Sequence, residues 1–199
     1  KKGILIDTAE MWARADDVGV TARRSVQLTP IDEKVDIFYD SIGVGAGVKS
    51  EYNRLKKTKP VSLLPKNIKV YPWAASAKVL RPDLPIIKGD NQSPKNKDHY
   101  SNLKAQAWSE VAARFFRTWQ AVTQDVKHHP DELISLDSRM KNLHTLVREL
   151  SQATAILSTS TMKVVIDKSP EGTKSPNLAD AAIMASFPVR NHSYTSENR

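Results

Sequence analysis

Asp36-Ile37-Phe38-Tyr39-Asp40-Ser41-Ile42-Gly43-Val44-Gly45-Ala46-Gly47-Val48-Lys49-Ser50 reads as a strand, a glycine-rich loop and the start of a helix. Ile37, Phe38 and Tyr39 are β-branched or aromatic, whereas residues 48–57 have helical composition. A strand feeding a helix through glycines belongs to an α/β fold, and Asp40 ends the strand where such sheets place their ligands. The loop has the setting of a phosphate cradle without its spacing. Val48 separates Gly47 from Lys49, so no ammonium follows the glycine nest, and the third glycine of a dinucleotide fingerprint is missing. Two readings stand: a plain tight turn, or a scaffold that presents Asp40.

Upstream, residues 4–12 read as a strand and a polar turn, and 21–28 as a short helix ended before Pro30. Downstream, 68–71 is a strand, and 74–96, with Pro82, Pro85, Gly89 and Pro94, is expected to be the least ordered loop or hairpin. Leu103, Ala107, Val111, Phe115, Trp119 and Val122 recur every three or four residues, predicting one amphipathic helix over 98–122. After Pro130, Met140, Leu143, Leu146 or Val147, and Leu150 predict another helix with Asp137 or Ser138 as N-cap. Two strands follow at 153–158 and 162–167, then a helix over 177–187 opened by Pro176 and capped by Ser175. The expectation is one α/β domain with a mixed sheet over 1–188, no internal repeat, and a loose tail over 189–199.

The 199 residues carry 30 Lys and Arg against 22 Asp and Glu, a net +8 that favours polyanionic partners. There is no cysteine, which excludes disulfides, thiolate catalysis and Cys-based metal sites and fits a reducing compartment. No apolar run approaches the roughly 20 residues of a membrane span.

Asp40 ends an apolar strand and Asp180 sits alone in Leu178-Ala179-Asp180-Ala181-Ala182-Ile183-Met184, near the positive end of a helix. An unpaired buried charge is costly, so each acid must reach solvent, a cation or donors. Two such acids suit a site for Mg²⁺ or Mn²⁺ in phosphodiester hydrolysis, and capping or solvated acids are the alternative. His128-His129-Pro130 reads as a solvated turn rather than a metal site. Trp108, Phe115, Phe116 and Trp119 have helical spacing that makes most of them core rather than base-stacking groups. The lysines of 56–59, 66–69 and 88–97 suit either DNA phosphates or a plain solvated surface.

Three ordered blocks, 39–49, then Asn96-Lys97-Asp98 with 102–108, then Lys174-Ser175-Pro176-Asn177-Leu178-Ala179-Asp180-Ala181, closely resemble the C-terminal nuclease domain of tailed-bacteriophage terminase large subunits. The resemblance implies a ribonuclease H-like α/β fold, a mixed central sheet flanked by helices. It implies a metal-dependent endonuclease that cuts concatemeric viral DNA during genome packaging into procapsids. Two Mg²⁺ or Mn²⁺ ions would be held by an acid cluster that includes Asp40 and Asp180 as catalytic ligands. The partners implied are double-stranded viral DNA, portal protein, the small terminase subunit and the ATPase domain of the same large subunit, in the host cytoplasm at the portal and with no membrane. Lys78, Lys88, Lys95 and Lys97, near the rim of the site in the family, are candidates for contacting the DNA backbone or for limiting access to the site, and Lys174 is a candidate for stabilising phosphate charge or else a solvated loop lysine.

One feature departs from the pattern. Family members open on a strand bearing a first acid, and residues 4–12 resemble the second strand instead, so that opening strand is expected upstream of residue 1. The alternative is that Asp7, Asp16 or Asp17 takes its place. The chain has no ATPase motif, so packaging force is expected from another domain. A DNA-gripping or docking module is the competing function, and a junction resolvase of the same fold is a third reading, which the three blocks disfavour.

Overall fold

The computed structural model describes residues 3–12, 17–30, 32–42, 47–58 and 63–190. Gly43 to Ala46, Asp16 and the tail from 191 onward lie outside the described residues. In chain order the elements are β1 (Ile4–Ile6), α1 (Val18–Gln27), β2 (Val35–Asp40), α2 (Val48–Lys57), β3 (Ile68–Trp73) and α3 (Asn96–His99). They continue with α4 (Leu103–Thr123), β4 (Ile134–Leu136), α5 (Leu143–Gln152), β5 (Thr154–Leu157), β6 (Val164–Asp167) and α6 (Asn177–Ser186). The fold is mixed α/β. Among the described residues the strands form three two-stranded ladders: β1 with β4 and β2 with β3 in parallel, β5 with β6 antiparallel. The chain divides into two compact units, Lys1–Ala13 with Ala74–Phe187, and Arg14–Trp73 with Pro188–Arg199.

In the second unit, β2 and β3 run in register from Val35 against Ile68 to Asp40 against Trp73. Phe38 and Tyr71, directly opposite, stack with centroids 5.4 Å apart. The apolar faces of α1 and α2 close over Ala22, Val48, Tyr52 and Leu55, with Ile37, Tyr39 and Val70 of the ladder packed against them. Burying a leucine such as Leu55 is worth about 1.5–3 kcal/mol. Asp17 caps α1 by accepting from the amides of Gly19 and Val20. Tyr52 shares a 2.6 Å hydrogen bond with Ser25, and burial pushes its phenol above the usual range. Arg190, at the start of the expected tail, donates to Asp36 at 2.7 Å.

In the first unit, β1 can lie beside β4 because residue 3 is glycine: a Cβ there would stand 2.7 Å from the Pro130 carbonyl oxygen. Thr118 Oγ1 both donates to the Ile134 carbonyl and accepts from the Ile134 amide, which ties β4 to α4. Leu103, Val111, Ile134, Leu146 and Ile183 from α4, β4, α5 and α6 are 2 % exposed or less and form the centre of this unit.

Three expectations need correction, and one element is not foreseen. The helix expected over 98–122 is two, α3 and α4, because Tyr100 is extended and bridges Val164 of β6 while Asn102 caps a fresh start at the Ala105 amide. β4 escapes notice in the sequence, since three residues are too few to show a period. Residues 74–96 are firmly held: buried Gln106 and Asn96 bond the backbone of Leu80 and Arg81, and Ile86 and Asn96 amides reach Pro94 and Leu84. Trp108 is core, but Phe116 and Trp119 are about half exposed and stack on each other outside it.

Candidate functional site

The parallel ladder ends at Asp40, and the Ser41 amide still donates to the Trp73 carbonyl. The Asp40 side chain is exposed and accepts from the Ile42 amide at 2.9 Å, a turn that lets the chain leave the strand. Its charge therefore meets solvent and a backbone donor.

Asp180 stands in the first turn of α6, where the helix dipole favours an anion. Its carboxylate receives the ammonium of Lys168, which directly follows β6, and both side chains are about three-quarters buried. Lys104, in the first turn of α4, belongs to the same neighbourhood. Burial holds its amine below the usual lysine range, Lys168 pushes it further down, and Asp180 and Asp167 pull it back up. Asp167 itself accepts from the Ser169 amide. Lys104, Asp167, Lys168 and Asp180 thus form a cluster of two cations and two carboxylates on one unit. Lys168 and Lys104 carry no role in the sequence reading, although Lys104 lies inside a quoted block. Neither stands out among 30 basic residues.

The helix bearing Asp180 is not capped as expected. The N-cap position is Pro176, and Ser175 Oγ donates to the Asn177 side chain. Glu149 of α5 instead accepts from the Leu178 and Ala179 amides at 2.7 and 3.0 Å. Likewise Asp137 does not cap α5. It turns the chain through Arg139, whose guanidinium and amide hold its carboxyl down at about 2.

The remaining expected residues are scattered. Asp7 is exposed just beyond β1, and Asp17 is the α1 cap. Lys78, Lys88 and Lys174 are exposed. Lys95 and Lys97 both face Asp83, at 4.0 and 2.8 Å, so part of the positive charge of that loop is already answered. His128 bonds Gln120, and His129 accepts from the Asp131 amide, which suits a turn. Among the described residues no group of three or more His, Asp or Glu side chains is gathered to hold a metal, and no helix is long and apolar enough to cross a membrane.

No protein-family model and no curated protein sequence matches the chain. Solved structures do. A lysine-to-alanine variant of the nuclease domain of the large terminase subunit gp2 of bacterial virus Sf6, with manganese and beta-thujaplicinol, superposes with a TM-score of 0.70 at 21% identity, covering 90% of this chain and 75% of that one. The nuclease domain without that substitution gives 0.69 at 22% identity, over 87% and 72% of the two chains. A variant with calcium gives 0.68 at 23%, over 85% and 70%. At such identities the likeness is one of fold, and this chain accordingly has the α/β, ribonuclease H-like fold of a phage large-terminase nuclease domain.

Proposed function

We propose that the chain is a metal-dependent endonuclease domain of a phage DNA-packaging motor, cutting concatemeric double-stranded viral DNA, with Asp40 and Asp180 as ligands for two Mg²⁺ or Mn²⁺ ions. The observation that carries this reading is Asp180 set against a cation at the start of α6, in a fold shared with the Sf6 nuclease domain. Hard divalent ions take carboxylate oxygens, and the Asp180 carboxylate already receives a positive charge, so its chemistry fits. Such ions, when bound, activate water and stabilise the leaving 3′ oxygen.

The chain's own groups would do the rest. Asp180 is oriented by α6, while Asp40 is exposed at the strand end, open to an incoming ion or phosphate. Lys168, once displaced from Asp180, is a neighbouring cation for phosphate charge, and Lys104 is a second. Lys78, Lys88 and Lys174 would meet the DNA backbone, with Lys95 and Lys97 contributing as Asp83 is screened. The working partners in this reading are portal protein, the small terminase subunit and the ATPase domain, in the host cytoplasm at the portal.

Cleavage of supercoiled plasmid tests it, with Mn²⁺, Mg²⁺ or EDTA and with Asp40→Asn and Asp180→Asn. Metal-dependent nicking that both substitutions abolish is the expected result. DNA binding without cutting under any metal, weakening steeply with salt, would replace it with the DNA-gripping module.

A further inference from the structure

The amides that open a helix have no partner within it, and in α6 the Asn177 amide turns back to the Ser175 carbonyl while no side chain at the N-cap serves the next two. Glu149, in the last turns of α5, fills that role by accepting from Leu178 and Ala179. Its negative charge also meets the positive end of α6. Three residues further along α5, on the same helix face, Gln152 Nε2 donates to the carbonyls of Lys168 and Lys174, both at 2.8 Å. Those carbonyls lie at the two ends of the segment joining β6 to α6, which bends at Gly172 with φ of +83°. Four hydrogen bonds from two side chains of one helix thus hold the connection between Lys168 and Asp180.

We infer that Glu149 and Gln152 are positioning residues, which set where the Asp180 carboxylate and the Lys168 ammonium stand for phosphodiester cleavage without touching substrate. This rests on the nuclease reading above. Asp180 lies one residue beyond the Ala179 amide that Glu149 holds, and Lys168 owns a carbonyl that Gln152 holds, so a shift of α5 moves both charged groups, loss of Glu149 frees the Asp180 side and loss of Gln152 the Lys168 side. A displacement of about 1 Å at a reacting group costs on the order of a hundredfold in rate.

The test combines amide hydrogen exchange over residues 168–180 with plasmid-cleavage kinetics in Mn²⁺, for the unsubstituted chain, Glu149→Ala, Glu149→Gln and Gln152→Ala. Glu149→Ala is expected to speed exchange at Leu178 and Ala179 and to lower kcat by about 10–100-fold with KM for DNA little changed. Glu149→Gln, which keeps an acceptor oxygen, is expected to recover most of kcat. Gln152→Ala removes no charge and frees carbonyls rather than amides, so it is read by the fall in kcat with KM little changed if Glu149→Ala does not fold. Faster exchange with unchanged kcat would make the clamp merely structural and overturn the positioning role, and unchanged exchange would overturn the clamp itself. Should the unsubstituted chain cut nothing, the nuclease reading and the positioning role both fall, and the exchange data still report the clamp.

Discussion

Asp40 ends β2 with its carboxylate in solvent, bonded to an amide two residues along the chain, whereas Asp180 is about three-quarters buried and carries the Lys168 ammonium. The first acid is presented by local structure: a parallel ladder runs out and a turn begins. The second is presented by assembly, since its helix is capped from α5 and its countercharge comes from the end of β6. The comparison teaches that an exposed acid keeps its charge through water, while a sheltered one needs a partner that a metal ion would have to displace.

Loss of chemistry is the largest effect by which the comparison can be broken. Both Asp40→Asn and Asp180→Asn are expected to reduce Mn²⁺-dependent plasmid cleavage by on the order of a thousandfold, about 4 kcal/mol. They should differ in thermal unfolding: Asp40→Asn keeps its acceptor oxygen in a solvated turn and leaves Tm unchanged, while Asp180→Asn strands Lys168 and lowers it. Equal Tm values would erase the distinction between the two sites.

A smaller effect concerns what seats α6. Leu146, completely buried on α5, is expected to cost about 2–5 kcal/mol on truncation to alanine, measured by urea unfolding. A loss under 1 kcal/mol would mean that α5 is not a rigid base for Asp180. Next, Lys168→Ala removes the cation that competes for Asp180, so calorimetry should find Mn²⁺ bound up to about fivefold more tightly, the worth of a partly exposed ion pair. Weaker binding would assign Lys168 a supporting rather than a competing role.

The smallest effect is a pH dependence. Burial raises the Glu110 carboxyl above its usual range, against the hydrogen bond from Gln106 and the nearby Arg81, Arg114 and Arg117. A carboxyl whose folded pKa exceeds the unfolded one favours the fold below the unfolded value and loses that contribution as pH rises through the folded pKa. Glu110→Gln, fixed in the neutral form, should therefore raise Tm slightly at pH 7 and lose that gain near pH 4. A gain that persists in acid would point to packing rather than charge.

Much of the architecture is legible in the residues. β2 and α2 are marked by composition, and the expected helix over 48–57 matches α2 (Val48–Lys57). The stripe from Leu103 to Val111 marks the buried face of α4, and β5, β6 and α6 fall within a residue or two of their expected bounds. Periodicity speaks less well for a helix end. Phe116 and Trp119 share the spacing of core residues yet lie outside, while Thr118 between them makes the contact of α4 to β4. The loop over 74–96 looked loose by its prolines and glycine, but its order comes from buried Asn96 and Gln106, whose partners are 15 and 26 residues away.

Sequence alone determined the α/β class, Asp40 at a strand end and Asp180 in the first turn of a helix, because these follow from local periods of two and 3.6 and from nearby glycine and proline. Only the tertiary structure decided that Lys168 answers Asp180, that Lys104 joins them, and that Glu149 and Gln152 hold the connection between them. Such pairings depend on which side chains packing brings within about 3 Å, and a charge among 30 like it bears no local mark of its partner.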